Sequence, residues 1–198
     1  MLDSLVQGFS GPGKWFMYAI AIIFAYGLAI FLERTFMYWI RWKKNKKRIE
    51  QSIQSGDLAS AAHLASPHPV AILIAASSNA TNKEEVWDSV AVVAPNVEAR
   101  VMRQISFLSA IGNIATMIGL LGTVYGLIFA LDGLDQITNV ERTARLSKGI
   151  SVAMVTTAWG LITGVPAMAA HAFLLAKAKD ILAYCESVTA MLALQKSK

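Results

Sequence analysis

Three long stretches of the chain are strongly apolar as well as free of charged residues, and this pattern predicts its architecture. The stretches are residues 15–32, 104–131 and 149–176. Each has at least the roughly 18 residues that a helix needs to cross about 30 Å of hydrocarbon. We therefore predict transmembrane helices at residues 15–40, 105–131 and 149–176.

Outside these spans, apolar residues recur every three or four positions, which predicts amphipathic helices. One such stripe approaches the second span and another follows the third. The stripes are Val86, Val90, Val93, Val97, Val101 and Ile105, and then Leu174, Ala178, Ile181, Cys185, Val188 and Leu192. Pro95 lies within the first stripe, so the helix either bends there or restarts. The predicted fold class is an all-α membrane protein with three transmembrane helices and long cytoplasmic helical extensions.

The basic residues that follow the first span predict the orientation of the chain. Six of the 18 lysines and arginines form one membrane-anchoring run: Arg41, Lys43, Lys44, Lys46, Lys47 and Arg48. The positive-inside rule places this run in the cytoplasm. We therefore expect residues 1–14 outside, residues 41–104 in the cytoplasm, a periplasmic loop at 132–148 and a cytoplasmic tail at 177–198. The basic residues follow the apolar stretch instead of preceding it, which predicts a retained anchor and not a cleaved signal peptide.

Composition supports a membrane protein and argues against other classes. The 198 residues are 55% hydrophobic and only 16% charged, whereas soluble domains carry about 25% charge. The single cysteine, Cys185, excludes an internal disulfide. A net charge of +5 could indicate nucleic acid binding. We favour membrane anchoring, because the basic run directly follows a span.

Glycines and hydroxyl-bearing residues within the second and third spans are the candidate functional features. Small residues let helices approach closely, and hydroxyls can form hydrogen bonds between helices. The predicted helix-packing residues are Gly119, Gly122, Gly126, Gly160 and Gly164. The polar residues of interest are Ser109, Asn113, Thr116 and Thr123 in the second span and Ser151, Thr156, Thr157 and Thr163 in the third. Two interpretations stay open: these side chains only pack the helices together, or they line a shared polar seam.

Neither of these two spans contains an acidic residue. Ion passage needs a titratable or coordinating group near mid-depth, and a threonine hydroxyl does not titrate in the physiological range. If the chain conducts ions, a partner should therefore supply a carboxylate. His171 lies near the predicted cytoplasmic end of the third span, where an interface histidine is favoured over a proton relay. No histidine and cysteine cluster has the spacing of metal ligands, and the glycine-rich string lacks the Gly-Lys-Ser/Thr of a phosphate loop, so we predict no enzyme activity.

Two strings within these spans resemble the MotA/TolQ/ExbB proton channel family. They are Gly-Leu-Leu-Gly-Thr-Val-Tyr-Gly at 119–126 and Ala-Met-Val-Thr-Thr-Ala-Trp-Gly-Leu at 153–161. Leu-Glu-Arg at 32–34 is similar to the ExbB and TolQ branch, as are the three spans and the external N-terminus. MotA-like stators have four spans.

The resemblance implies a homopentamer in the bacterial inner membrane, surrounding a dimer of a single-span partner of the ExbD, TolR or MotB type. The partner's aspartate enters the lumen, and the flow of protons, or of sodium, drives mechanical work on the cell envelope. Thr123 and Thr157 correspond by motif position to the family's lumen-facing threonines. We expect Thr156, Ser151 and Thr116 to lie in the same ion pathway. The resemblance implies no cofactor, only a transported ion, and it implies neither a bound metal nor a nucleic acid partner.

The chain departs from the family pattern at three places, one of which is His171-Ala172, where a Tyr-Asn pair often follows in the family. Val152 stands where ExbB-like members carry a glutamate, and the usual proline of the second span is replaced around Asn113–Ile114. Because the glutamate is missing, two questions stay open: whether a second protonation site exists, and whether the transported ion is a proton or sodium. A structural membrane scaffold is the main alternative function. A solute transporter is disfavoured, because such proteins usually have broken helices and inverted repeats.

Overall fold

The computed structural model describes residues 9, 11, 13–38, 46–66, 68–132, 134 and 138–196. Within that part of the chain there are seven α-helices and no β-strand, so the predicted all-helical class is confirmed. The helices are α1 Lys14–Phe36, α2 Lys46–Gln54, α3 Leu58–Ala65, α4 Val70–Ser77, α5 Lys83–Met102, α6 Ile105–Leu131 and α7 Asn139–Gln195.

Three helical segments are long and apolar enough to cross a membrane, which agrees with the predicted number of spans. They are Lys14–Phe36, Lys83–Leu131 and Asn139–Gln195, the second of which contains both α5 and α6. The third starts at Asn139, within the residues predicted as an external loop. Its start is capped, because the Glu141 carboxylate accepts hydrogen bonds from the backbone N–H (3.0 Å) and hydroxyl (2.8 Å) of Thr138.

The described residues divide into two compact units. The first unit contains residues 9–31 and 106–171, and the second contains residues 32–105 and 172–196 apart from the gaps given above. Both α1 and α7 contribute residues to each unit.

Contacts within the first unit establish the directions of its three helices. The rings of Phe16 and Tyr125 have centroids 5.4 Å apart. A Cβ atom built on Gly27 would lie 3.2 Å from the Cγ2 atom of Ile111. Residue numbers rise along α1 while they fall along α6, so these two helices are antiparallel. The contacts of Gly126 with Ala153 and of Gly112 with Gly164 show that α6 and α7 are also antiparallel. Successive helices therefore alternate in direction, as three consecutive membrane crossings require.

The second unit buries the apolar stripes predicted from the sequence. The buried residues are Val86, Val90, Val97, Val101 and Ile105, with Leu174, Ala178, Cys185, Val188 and Leu192 from α7. The α5 helix continues through Pro95. Side chains cap two helices of this unit: the Asp57 carboxylate accepts the Ser60 N–H at 3.0 Å, and the Asn82 amide oxygen accepts the Glu85 N–H at 2.9 Å.

A break separates α5 from α6 within the second unit. Gln104 has a φ angle of 66°, in the left-handed region that non-glycine residues seldom occupy. Its side-chain oxygen accepts hydrogen bonds from the Nε (3.3 Å) and Nη2 (2.9 Å) atoms of Arg34. Arg34 is only 3% exposed. The helix that carries the first predicted stripe is therefore interrupted just before Ile105, instead of running on as one regular helix.

Candidate functional site

Glycines bring α6 and α7 into backbone contact. A Cβ atom on Gly126 would lie 2.7 Å from the backbone nitrogen of Ala153 and 2.8 Å from the carbonyl oxygen of Gly149. A Cβ atom on Gly119 would lie 3.0 Å from the Cα atom of Gly160. Because the obstructing atoms belong to backbone, they cannot rotate aside, so a Cβ atom on Gly126 would force the two helices apart and one on Gly119 would be tightly crowded. All five predicted packing glycines, namely Gly119, Gly122, Gly126, Gly160 and Gly164, lie in this contact.

Two further glycines, which were not predicted from the sequence, belong to the same contact. A Cβ atom on Gly112 would lie 3.1 Å from the carbonyl oxygen of Gly164, and one on Gly149 would meet Ala130 and Gly126. A signal was available for the first, because Gly112, Gly119 and Gly126 follow one another at seven-residue intervals and so share one face of the helix.

An open groove of about 410 Å³ lies beside this contact in the first unit. Its lining residues are Thr123, Ala153, Met154, Thr157, Ala158 and Leu161. Thr123 comes from α6 and the others from α7, so the close approach of the two helices brings Thr123 and Thr157 to one groove. None of the described residues that line it is an acid or a base.

The two groove hydroxyls differ in their hydrogen bonding. The Thr123 hydroxyl donates to the Leu120 carbonyl oxygen at 2.6 Å, so its oxygen is left to accept a hydrogen bond. The Thr157 hydroxyl lies 3.5 Å from the Gly119 carbonyl oxygen, a long contact that holds its proton weakly. The groove therefore offers one acceptor and one donor that can turn toward a ligand.

The other predicted pathway residues lie elsewhere in the first unit. Thr156 is 1% exposed, and its hydroxyl is 3.0 Å from the carbonyl oxygens of both Val152 and Ala153, on the side that packs against Gly122. The Thr116 hydroxyl donates to the Gly112 carbonyl oxygen at 2.9 Å. Ser151 is exposed but lies outside the groove. The structure therefore brings only Thr123 and Thr157 together on this groove.

Three more residues noted in the sequence, Thr163, Val152 and His171, lie in the first unit. Thr163 is buried, and its hydroxyl has no hydrogen-bond partner among the described residues. Val152 packs toward the start of α1, since a Cβ atom on Gly13 would lie 2.8 Å from its Cγ1 atom. His171 is half-buried at the end of the first unit.

Half of the predicted anchoring run lies at the start of α2. Lys46, Lys47 and Arg48 are exposed there, whereas Arg41, Lys43 and Lys44 lie outside the described residues. The Nζ atom of Lys46 is 4.3 Å from the ring centroid of Tyr184. In the second unit, therefore, one base of this run already makes a cation–π contact.

Two buried titratable groups of the second unit have strongly shifted pKa values. Burial, together with the positive charge of Lys46, lowers the pKa of His68 to about 4. Burial raises the pKa of the Cys185 thiol to about 12. The thiolate is the reactive form, so Cys185 is expected to be inert near neutral pH. No group of three histidines, cysteines or acids in the described part of the chain could hold a metal ion.

Comparisons with a family model and with individual proteins all point to the same family. Residues 47–187 match the model of the MotA/TolQ/ExbB proton channel family. The biopolymer transport protein exbB1 of Vibrio cholerae serotype O1 is 47% identical over 62 residues, which are 31% of this chain and 27% of that protein. ExbB of Pseudomonas putida is 32% identical over 96 residues, 46% of this chain and 29% of that protein. The Tol-Pal system protein TolQ of Pseudomonas aeruginosa is 30% identical over 88 residues, 44% of this chain and 38% of that protein. The matched segments thus span between 27% and 38% of these relatives.

Proposed function

The chain belongs to the MotA/TolQ/ExbB proton channel family, and from this premise we propose that it is the multi-span subunit of an ion-driven motor in the bacterial inner membrane. Several copies, five by family likeness, surround a dimer of a single-span partner of the ExbD, TolR or MotB type. The partner's aspartate carries the ion past the groove, and the resulting movement does work on the cell envelope. The chain acts as a channel component and not as an enzyme.

One observation carries this proposal: Thr123 and Thr157 line a groove to which the described part of the chain contributes two hydroxyls and no acid. Lipid-facing helices gain nothing from hydroxyls at such a place. A carboxylate brought to the groove by a partner would find hydrogen-bonding groups in otherwise apolar surroundings. The acid-free spans make a partner carboxylate necessary if ions cross here.

The hydrogen bonds of the two hydroxyls suit an acid that gains and loses a proton. The Thr123 oxygen can accept a hydrogen bond from the protonated acid, because its own proton is committed to Leu120. The Thr157 hydroxyl can turn and donate to the ionised acid. The pair would therefore stabilise both states of the carboxyl group and keep their free energies close, as repeated transfer requires. The same oxygens could coordinate sodium, so the coupling ion stays open.

A membrane scaffold without ion conduction is the second candidate. The observation that favours it is the extent of backbone bonding, since the hydroxyls of Thr116 and Thr156 both donate to carbonyl oxygens of their own helix. In that case the hydroxyls would only tune the helix contact.

Ion flux through the reconstituted complex with its partner separates the two candidates. We expect the Thr157→Ala and Thr123→Val variants each to lower flux at least tenfold while leaving assembly unchanged. The Thr163→Val variant is the matched control, because this buried hydroxyl of the same helix lies outside the groove. Wild-type flux in both groove variants, with intact complexes, would favour the scaffold.

The chain purified without its partner should conduct poorly, because no acid lines the groove. Robust flux from the chain alone would contradict a carboxylate supplied by the partner. Mass spectrometry of proteins that co-purify with the chain would identify the partner and, through its external domain, the envelope process that is driven. Replacing the proton gradient with a sodium gradient in the same vesicles would determine the ion.

A further inference from the structure

The polar residues of α6 are concentrated on one side of the helix. They are Ser106, Ser109, Asn113, Thr116 and Thr123. At 3.6 residues per turn, all five fall within a sector of about 100°. The rest of the helix surface is apolar or glycine, apart from Tyr125. Random placement would scatter these side chains around the helix, so the concentration defines one polar face.

This polar face extends from the groove in one direction only. From Thr123 back to Ser106 the helix rises about 26 Å, and Asn113 lies about 15 Å from Thr123. On the same face beyond Thr123, the exposed residues of α6 are the apolar Val124, Leu127 and Leu131. On α7, the exposed hydroxyl of Ser151 lies in this other half but outside the groove.

Asn113 is the residue that most needs polar surroundings. Its carboxamide is exposed, lies within a helix that could cross a membrane, and makes no hydrogen bond to another described residue. An amide has two donor hydrogens and an acceptor oxygen. Leaving these groups in hydrocarbon is costly. The side chain of Ser109 is half-buried and Ser106 is exposed, and neither forms a hydrogen bond with a described residue.

We propose that Ser106, Ser109 and Asn113 line a hydrated passage from the Thr123 groove to the membrane surface at which α6 begins. Within this passage, the Asn113 carboxamide contacts the ion. The ion is a monovalent cation, either a hydrated proton or sodium. The chain thus provides one half of the ion route, while the apolar half beyond Thr123 depends on the partner. Leu120, 63% exposed, lies on the polar face between Thr116 and Thr123 and interrupts the passage there. It separates the groove at Thr123 from the polar segment that contains Asn113. The inference rests on the proposed function, because it assigns the other end of the passage to the groove.

Cysteine labelling tests the passage without measuring flux. The sequence has a single cysteine, so a Cys185→Ala background allows one new cysteine at a time. The probe is a permanently charged methanethiosulfonate, which reacts only where water reaches the thiol. It is applied to right-side-out and inside-out membrane vesicles that contain the full chain and its partner.

We expect the Asn113→Cys and Ser109→Cys variants to react at least tenfold faster than Ile114→Cys and Phe107→Cys, and from one side of the membrane only. Ile114 and Phe107 are matched controls, because each is exposed away from the polar face, within about 3 Å along the helix axis of Asn113 and Ser109 respectively. Equal rates at positions 113 and 114 would overturn the passage, since Asn113 would then lie in a dry contact or in lipid.

Flux variants test the role of Asn113. Asn113→Leu should lower flux at least tenfold, whereas Asn113→Ser, which keeps a polar side chain, should stay within about threefold of wild type. Unchanged flux in an assembled Asn113→Leu complex would overturn its role as an ion-handling residue. A wild-type complex without flux would count against the proposed function, and the labelling rates would still decide whether the passage exists.

Discussion

Both units of this chain are made of packed helices, but the α6–α7 contact of the first unit and the interior of the second are built from residues of opposite kinds. In the first unit, α6 and α7 meet through glycines, with backbone atoms in direct contact. In the second unit, large aliphatic side chains fill the interior. Among the fully buried ones are Ile49, Ile53, Ile74, Val86, Val101, Leu174 and Leu192.

The difference follows from the solvent that each kind of helix is suited to. In water, burying a large apolar side chain is itself the driving force, so a helix benefits from leucine and isoleucine on one face. In a bilayer, lipid tails are as apolar as leucine, so close van der Waals contact must hold the helices together instead. The comparison teaches that a glycine in the first unit has the structural importance of a leucine in the second.

The largest effect is expected from added bulk in the first unit. Gly126→Leu should prevent α6 and α7 from packing, because the new side chain would meet backbone atoms of Gly149 and Ala153. Overpacking costs about 1–3 kcal/mol even where side chains can move aside. Size-exclusion chromatography in detergent should show loss of the native peak. Ala110→Leu, at an exposed position of the same helix, should elute as wild type. A native peak for Gly126→Leu would break the comparison.

Removing bulk should damage the second unit instead. Leu192 is 1% exposed, so Leu192→Ala would leave a cavity and cost about 3 kcal/mol of unfolding free energy. Leu194→Ala is the control, because this leucine of the same helix is 62% exposed. Denaturant unfolding measures both. Equal losses for the two variants would mean that burial does not govern stability here.

Acid should destabilise the second unit through His68. The folded pKa of about 4 lies below the ordinary value of 6.5, so the unfolded chain binds the proton more tightly. The stabilisation that neutral His68 gives to the folded state is complete above pH 6.5 and falls as the pH drops toward 4. Between pH 7 and pH 5 the loss is about 2 kcal/mol. His68→Asn should flatten this dependence, whereas His63→Asn, at an exposed histidine, should retain it. An unchanged pH profile for His68→Asn would exclude His68 as the cause.

The smallest effect is expected at a helix start in the second unit. Asn82→Ala removes the side-chain acceptor for the Glu85 N–H and should cost about 1 kcal/mol. Asn79→Ala is the control, because Asn79 lies in the preceding turn outside the helix. Thermal unfolding would measure the difference. A cost at Asn79 as large as that at Asn82 would argue against capping as the cause.

The sequence predicts the parts of the structure that depend on periodicity. Apolar residues every three or four positions located the buried faces of α5 and α7, and long stretches that are both apolar and uncharged located the helices that could span a membrane. Glycine spacing pointed to the α6–α7 contact. These features are local, so they can be recognised without knowing how the helices cross.

Other features depend on the way in which helices meet. Thr156 and Thr157 are neighbours about 100° apart on one helix. Only the crossing at Gly119 decides that the first packs inward and the second lines the groove. The break at Gln104 had no signal either, because glutamine favours neither turns nor left-handed backbone.

The pairing of Arg34 with Gln104 has an evolutionary consequence. The two residues lie 70 positions apart, yet the guanidinium of one is bonded to the amide of the other. Glycine at 104 would suit the backbone better but would take away the acceptor that a nearly buried cation needs. In descendants of this gene, the residues at positions 34 and 104 should therefore change together. Arginine should be kept at position 34 only where the side chain at position 104 still offers an oxygen as acceptor.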